Sequence, residues 1–535
     1  MNRHWRPGII TRLVVLVAIL AMVATACSND DEADASGISQ ADLDAVTAEL
    51  SDANDQISAL EGQLASAQVT TQVIQTGELG PAQAATVVPG DGWATEESVR
   101  GGLWLEAQFD SSGPDAWDIE AHPRVYFTSE SYQTNYYGSE GNELSDELGQ
   151  FAGWHVIDAY SKEVVASALY EFGGEVTRGP HGVGVSPDGK WGYVGWMAAE
   201  EGESGVGYVG IVNIQTMKLD KVLSQSSYFE GGTRSQAIHH IQCWTNDENG
   251  EDYCILQWGF GANGGPHFII KPNDDNRVFR AITYDDVNPM GHPFTTPDPT
   301  GQYVYISMGA NFIREGEFPG AAIAKLDILT GEHEEFEEVG RHPIGITHTQ
   351  DGRFTYVIDG TSSQIYKLDN ESGHVVDRSA TGIAGPYGIC LNYDETEAWI
   401  NGKGEGTANL GNSMSIFDLG PDVGGSRFRA SRAHGNTPFY LGGSASSVDH
   451  CAMHPDGNEI WISSMKGWET IVVSLDTYTV TDYINTPNNG DTHGMAFVWY
   501  DGGWDDGILM VDQGGPKAQS LQDTVKANAE AAQAG

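Results

Sequence analysis

The chain is 535 residues long, and 75 Asp and Glu against 27 Lys and Arg leave a formal net charge of −48. A field of that sign repels phosphate backbones and excludes nucleic-acid binding. With 67 Gly, 14 Trp, 21 Tyr and only 19% charged residues, the composition is that of a turn-rich β protein with enough apolar mass for a large core.

Arg3, Arg6 and Arg12 precede the apolar run Leu13 to Ala24, which is too short for a comfortable bilayer span and has the layout of an export signal. The following Val23-Ala24-Thr25-Ala26-Cys27 resembles a bacterial lipobox. Residues 1–26 are therefore expected to be a lipoprotein signal peptide. The mature protein would be exported and lipid-anchored to the outer face of the cytoplasmic membrane or held in the periplasm, with plain secretion as the alternative. Leu43, Val46, Leu50, Ala53, Ile57, Leu60, Leu64 and Ala67 alternate spacings of three and four, the seam of an N-terminal coiled-coil helix. Residues 27–68 thus read as an acidic spacer and a stalk that makes a homo-oligomer, or as a helix lying on the main domain. Residues 69–149 read as a linker and irregular lead-in.

From residue 150 to 512 a repeat of roughly 50 residues predicts an all-β, seven-bladed β-propeller. Its clearest copy is Gly179-Pro180-His181-Gly182-Val183-Gly184-Val185-Ser186-Pro187-Asp188-Gly189, a strand closed by a Pro-Asp-Gly turn. Equivalent starts fall at Ala237, Met290, Pro343, Pro386, Val448 and Thr492. The first blade end, Gly153 to Asp158, has no visible start, and the last start, Thr492 to Val511, has no end. Joining them closes the ring, each terminus supplying half a blade. Residues 513–535 read as a flexible or helical tail. The repeat resembles the YVTN-type propellers that include lactonase-like proteins.

The innermost strand of each blade runs along the axis, and its first residues sit at one mouth. His181, His239, His240, His292, His450 and His493 fall at these positions, His342 one or two places earlier, and Tyr387 in the remaining blade. His348 and His454 lie next to the turns, about 13 Å away at roughly 3.3 Å per residue, and are excluded. A single histidine in a strand is most simply a satisfied channel residue. Seven converging on one axis would repel one another if charged and waste polar groups if unpaired, whereas a metal resolves both. Imidazoles without an obligatory carboxylate suit copper or zinc, and seven of them suit several ions, with copper favoured. Met197, Met308 and Met465 end second strands at the same mouth, where thioethers would suit copper or simply pack.

This constellation resembles the nitrous oxide reductases, through the adjacent pair His239-His240 and the run Gly179-Pro180-His181-Gly182 to Ser186-Pro187-Asp188-Gly189. The resemblance covers the catalytic propeller and not that family's cupredoxin domain. It implies a multinuclear copper-sulfide cluster of about four ions, nitrous oxide as the small-molecule substrate, and electrons from a separate cupredoxin or cytochrome c. It also implies a Lys and a Glu near the cluster as proton donors. Lys403, in Asn401-Gly402-Lys403-Gly404-Glu405, and Lys466, in Ser464-Met465-Lys466-Gly467, end second strands at the mouth and are the candidates, with exposed loop lysines as the simpler reading.

Cys243 and Cys254 flank a hairpin turn, and Cys390 and Cys451 lie on neighbouring innermost strands, so two disulfides are expected; the alternative is free thiols, with Cys451 a soft ligand beside His450. Competing functions are a lactonase-like hydrolase, for which only Asp449 and Asp491 are at hand, a non-catalytic interaction propeller on a lipid anchor, and a mononuclear copper oxidase.

Overall fold

The computed structural model describes residues 72–75, 83–84, 103–131, 151–171, 175–178, 182–199, 206–225, 238–258, 267–282, 294–308, 322–336, 339–404, 411–419, 429–430, 438–487 and 490–518. The signal peptide, the coiled-coil helix and most of the linker fall outside these residues.

The strands form seven sheets, one per blade, of a seven-bladed β-propeller. Blade one runs outward from Val183–Val185 through Trp191–Ala199 and Val206–Asn213 to Lys218–Gln225. In blades two to six the innermost strands are Ile238–Thr245, Thr295–Pro297, Pro343–His348, Pro386–Leu391 and Val448–Met453. In blade seven the innermost strand is Met495–Trp499. Innermost strands of neighbouring blades touch in ring order, and Met495–Trp499 meets Val183–Val185 to complete the circle. Apolar side chains fill the layers between blades, with Trp154, Trp196, Trp258, Trp399 and Trp461 fully buried.

The turn after the innermost strand repeats one geometry in blades one, three, four, five and six. The amide of Gly189, Gly301, Gly352, Glu395 or Gly457 donates to the carbonyl three residues earlier. All five have positive φ, which four blades satisfy with glycine and blade five with Glu395 at φ 54°.

The closing blade departs from the expected half-and-half arrangement. Three of its four strands come from the N-terminal side, Arg124–Ser131, Phe151–Asp158 and Val164–Glu171, and only Met495–Trp499 from the C-terminal side. The propeller therefore begins by residue 124 rather than 150, because Arg124–Ser131 pairs on both edges within blade seven. Leu103–Gln108, also assigned to the lead-in, adds to the outer edge of blade one. Ile508–Asp512, expected as the second strand of the last blade, instead pairs with the inner edge of Met495–Trp499. It turns back through Gly515–Pro516, so the start of the expected tail is part of the fold.

Both disulfides are present: Cys243–Cys254 joins facing strands of blade two, and Cys390–Cys451 ties blades five and six.

Candidate metal centre

Strand side chains alternate in direction, so two consecutive residues cannot both face the axis of a regular strand. The register slips at the head of the innermost strands of blades two, five and six, as it also does at Ile344 in blade four: Ile238 and Ile241 face Trp258 and Leu256, Pro386 and Ile389 face Gly402 and Ile400, and Val448 and Cys451 face Ser464 and Ile462. In each, one extra residue is inserted, a bulge that re-aims its side chains. The bulged residues are His239-His240, Tyr387-Gly388 and Asp449-His450.

Glycines let these strand heads close on one another. A Cβ on Gly182 would lie 2.9 Å from His240 Cα, one on Gly388 2.9 Å from His450 Cα, and one on Gly494 2.8 Å from Gly182 Cα. The glycine after His181, Tyr387 and His493 is thus set by backbone contact with the next blade.

His240, His450 and His493, all buried, each offer a ligand atom, and these atoms lie within 4.8 Å of one another. Ring centroids are 4.8 Å apart for His240 and His450, 5.1 Å for His450 and His493, and 5.8 Å for His240 and His493. Burial holds His240 well below the usual imidazole range, with added repulsion from His239, His450, His493 and Lys403, and lowers His450 to about 3. Both are neutral at physiological pH, the state in which imidazole ligates a metal.

Side chains around the triad orient the rings. His493 Nδ1 lies 2.6 Å from Asp449 Oδ2, and His450 Nε2 3.6 Å from Asp449 Oδ1. Lys403 Nζ lies 3.3 Å from the same Asp449 Oδ2 and 3.7 Å from the centre of the Tyr387 ring. Burial raises the Asp449 carboxyl, and Lys403 and His450 oppose that shift. Tyr387 Oη is 3.1 Å from His239 Nε2, and Gln513 Nε2 is 3.2 Å from His240 Nδ1. Phe294 closes one side, 4.9 Å from the His240 ring and 5.8 Å from that of His450.

Of the residues singled out from the sequence, His240, His450 and His493 converge, and His239 sits against His240 with ring centroids 3.9 Å apart. His342 is half-buried just before Pro343–His348, its amide donating to Asp359 Oδ1, and is not in the triad. His181 and His292 fall outside the described residues. Lys403 is buried at the site rather than exposed in a loop. Lys466 bonds Asp491, two residues before His493, at 2.8 Å. His348 and His454 take other partners, Thr355 Oγ1 and the amide of Asp456. Cys451 is in a disulfide and is no ligand. Gln513 and Phe294 carry no marker in the sequence.

Three buried imidazoles this close fit a nitrogen-preferring transition metal. Their second nitrogens or neighbours meet Asp449 and Gln513, as the outer partners of metal-bound histidines do. No family model and no curated protein matches the chain. Solved structures similar to it include the periplasmic gluconolactonase of Pseudomonas aeruginosa, at 14% identity and TM-score 0.48, covering 70% of this chain and 99% of that one. A functionally unknown protein from Desulfotomaculum acetoxidans is 13% identical, TM-score 0.45, covering 69% and 98%. The dihydro-heme d1 dehydrogenase NirN is 12% identical, TM-score 0.42, covering 77% and 83%. At these identities the likenesses concern chain path and carry nothing about chemistry.

Proposed function

We propose that the axial histidines hold copper and that the protein is a copper-dependent oxidoreductase reducing nitrous oxide to dinitrogen. The observation that carries this reading is the triad His240, His450 and His493, buried and with its ligand atoms within 4.8 Å. His239 lies against it, and His181 and His292 stand at equivalent sequence positions on neighbouring blades, a set large enough for a multinuclear centre. Copper, when bound, supplies one-electron redox steps and a site for a weak ligand.

The overall change, one nitrous oxide with two protons and two electrons to dinitrogen and water, needs a proton source at the departing oxygen. Lys403 is proposed for that role, because it is buried beside the triad with its Nζ 3.3 Å from Asp449 Oδ2. Electrons are proposed to come from a cupredoxin or c-type cytochrome. The net charge of −48 favours a basic donor whose association slows as salt rises.

A second reading, a lactonase-like hydrolase, rests on Asp449, a buried carboxyl of raised pKa beside His493, which would serve as general base for water on a single divalent ion. The two readings separate in one experiment. Copper-loaded protein with reduced viologen is expected to consume nitrous oxide, and Lys403→Met to lose at least about 100-fold in that rate while keeping its copper. Inertness to nitrous oxide together with zinc-dependent lactone hydrolysis lost in Asp449→Asn would replace the first reading by the second.

A further inference from the structure

Away from the axis, blade seven carries a buried polar cluster on the three strands that the N-terminal side supplies. Side chains alternate along a strand, so Tyr126, Thr128 and Glu130 share one face of Arg124–Ser131. That face packs on blade six, where the Tyr126 ring lies 4.8 Å from that of Trp461. Register sets His155 directly opposite Thr128 on one side and Ser167 on the other. His155 and Glu130 are 0% exposed and Ser167 3%. Neither ring nitrogen of His155 has a hydrogen-bond partner among the described residues, and nor has the Ser167 hydroxyl. Glu130 Oε2 lies 3.9 Å from His155 Nδ1, beyond hydrogen-bond reach, while the Gly490 amide donates to Glu130 Oε1 at 3.4 Å.

We propose that His155 and Glu130 are ligands of a second, structural metal ion, a divalent transition metal such as zinc, held between blades six and seven beside the Thr128 and Ser167 hydroxyls. An imidazole buried with both nitrogens unpaired is costly, and a bound ion removes that cost. Zinc takes an imidazole nitrogen and a carboxylate oxygen at about 2.0–2.2 Å each, so two such donors at the tetrahedral angle stand about 3.4 Å apart. The observed 3.9 Å is about half an ångström from that spacing. A water bridging the same atoms by two hydrogen bonds would hold them about 4.6 Å apart, and a carboxylate at full burial suits a cation better than a neutral molecule. The ion ties Arg124–Ser131 to Phe151–Asp158 and, through Glu130, to Gly490, three residues before His493. The amides of His493 and Gly494 bond Ser129 Oγ at 3.1 and 3.3 Å, one residue from Glu130. The second ion thus fastens the closing blade at the end that presents His493, and it does not depend on what the triad binds.

The test uses the full chain. Crystals grown with zinc and measured on both sides of its absorption edge are expected to show an anomalous peak within about 2.3 Å of a His155 ring nitrogen and of a Glu130 oxygen. In solution, metal-free wild type should take up one zinc more per chain than His155→Phe or Glu130→Gln. Zinc at about a hundredfold excess over its dissociation constant should raise the melting temperature of the wild type by at least about 3 °C more than that of either variant. An ordered water without anomalous signal at that position, or variants that match the wild type in zinc uptake and melting shift, overturn the proposal. The wild-type map decides alone if the variants do not fold. Copper at the triad is counted separately, so a chain that takes no copper yet shows zinc at His155 would overturn the copper reading and leave this site standing.

Discussion

Lys403 and Asp449 illustrate how residue-scale chemistry at the axis was only half legible. Lys403 stood out by position in a lysine-poor chain, but its burial depends on the Tyr387 ring and the Asp449 carboxylate, which come from other strands and leave no local pattern. A buried ion pair is costly to break from one side. Asp449→Asn is therefore expected to destabilise by about 3 kcal/mol, and Lys403→Met with Asp449→Asn together by less than the sum of the two single changes. Urea denaturation of the metal-free proteins checks this, and additive effects would show that the two groups do not act as a pair. A second residue, Glu395, sits where four other blades have glycine, and burial raises its carboxyl to about 8. The folded protein then holds a proton that the unfolded chain releases between roughly pH 4.5 and 8, so stability falls as pH rises through that window. Glu395→Gln keeps an oxygen for the Gln350 amide and removes the titration. Its melting temperature should exceed that of the wild type by roughly 2 °C at pH 8.5 and equal it near pH 4. A constant difference across pH would contradict the assignment.

At the scale of elements, the sequence located the heads of the inner strands closely wherever Pro or a Gly-bounded turn marked them, and Pro343, Pro386 and Val448 begin strands as expected. Two strands escaped for physical reasons. Arg124–Ser131 is followed by a long connection instead of a Pro-Asp-Gly turn, so no repeat signal flags it. Ile508–Asp512 is an apolar run that reads as a blade strand, but its register partner is the inner edge of Met495–Trp499 because the outer edge is already taken by Arg124–Ser131. The bulges at His239-His240 and Asp449-His450 were likewise invisible, since one inserted residue does not change composition. The closing blade makes a direct prediction. A chain beginning at residue 101 should unfold cooperatively, whereas one beginning at 132 lacks the strand between Met495–Trp499 and Phe151–Asp158 and should show no cooperative transition by circular dichroism. Equal melting curves would place ring closure elsewhere.

For the whole molecule, the repeat period announced the propeller, and the ring explains why residues hundreds of positions apart meet: each blade contributes one strand head to a common mouth. The chain's net charge of −48 coexists with a buried cluster of imidazoles and one Lys–Asp pair. Under the function proposed above, that separation would let the surface field steer a charged electron donor without acting on an uncharged substrate. The central claim is that the axial histidines bind copper, and the most direct measurement is copper per chain, by elemental analysis, in protein exported by a copper-replete host. The account predicts about four copper ions per wild-type chain and a loss of most of them in His450→Ala but not in His454→Ala. Copper-free wild-type protein, or equal copper in both variants, would contradict it.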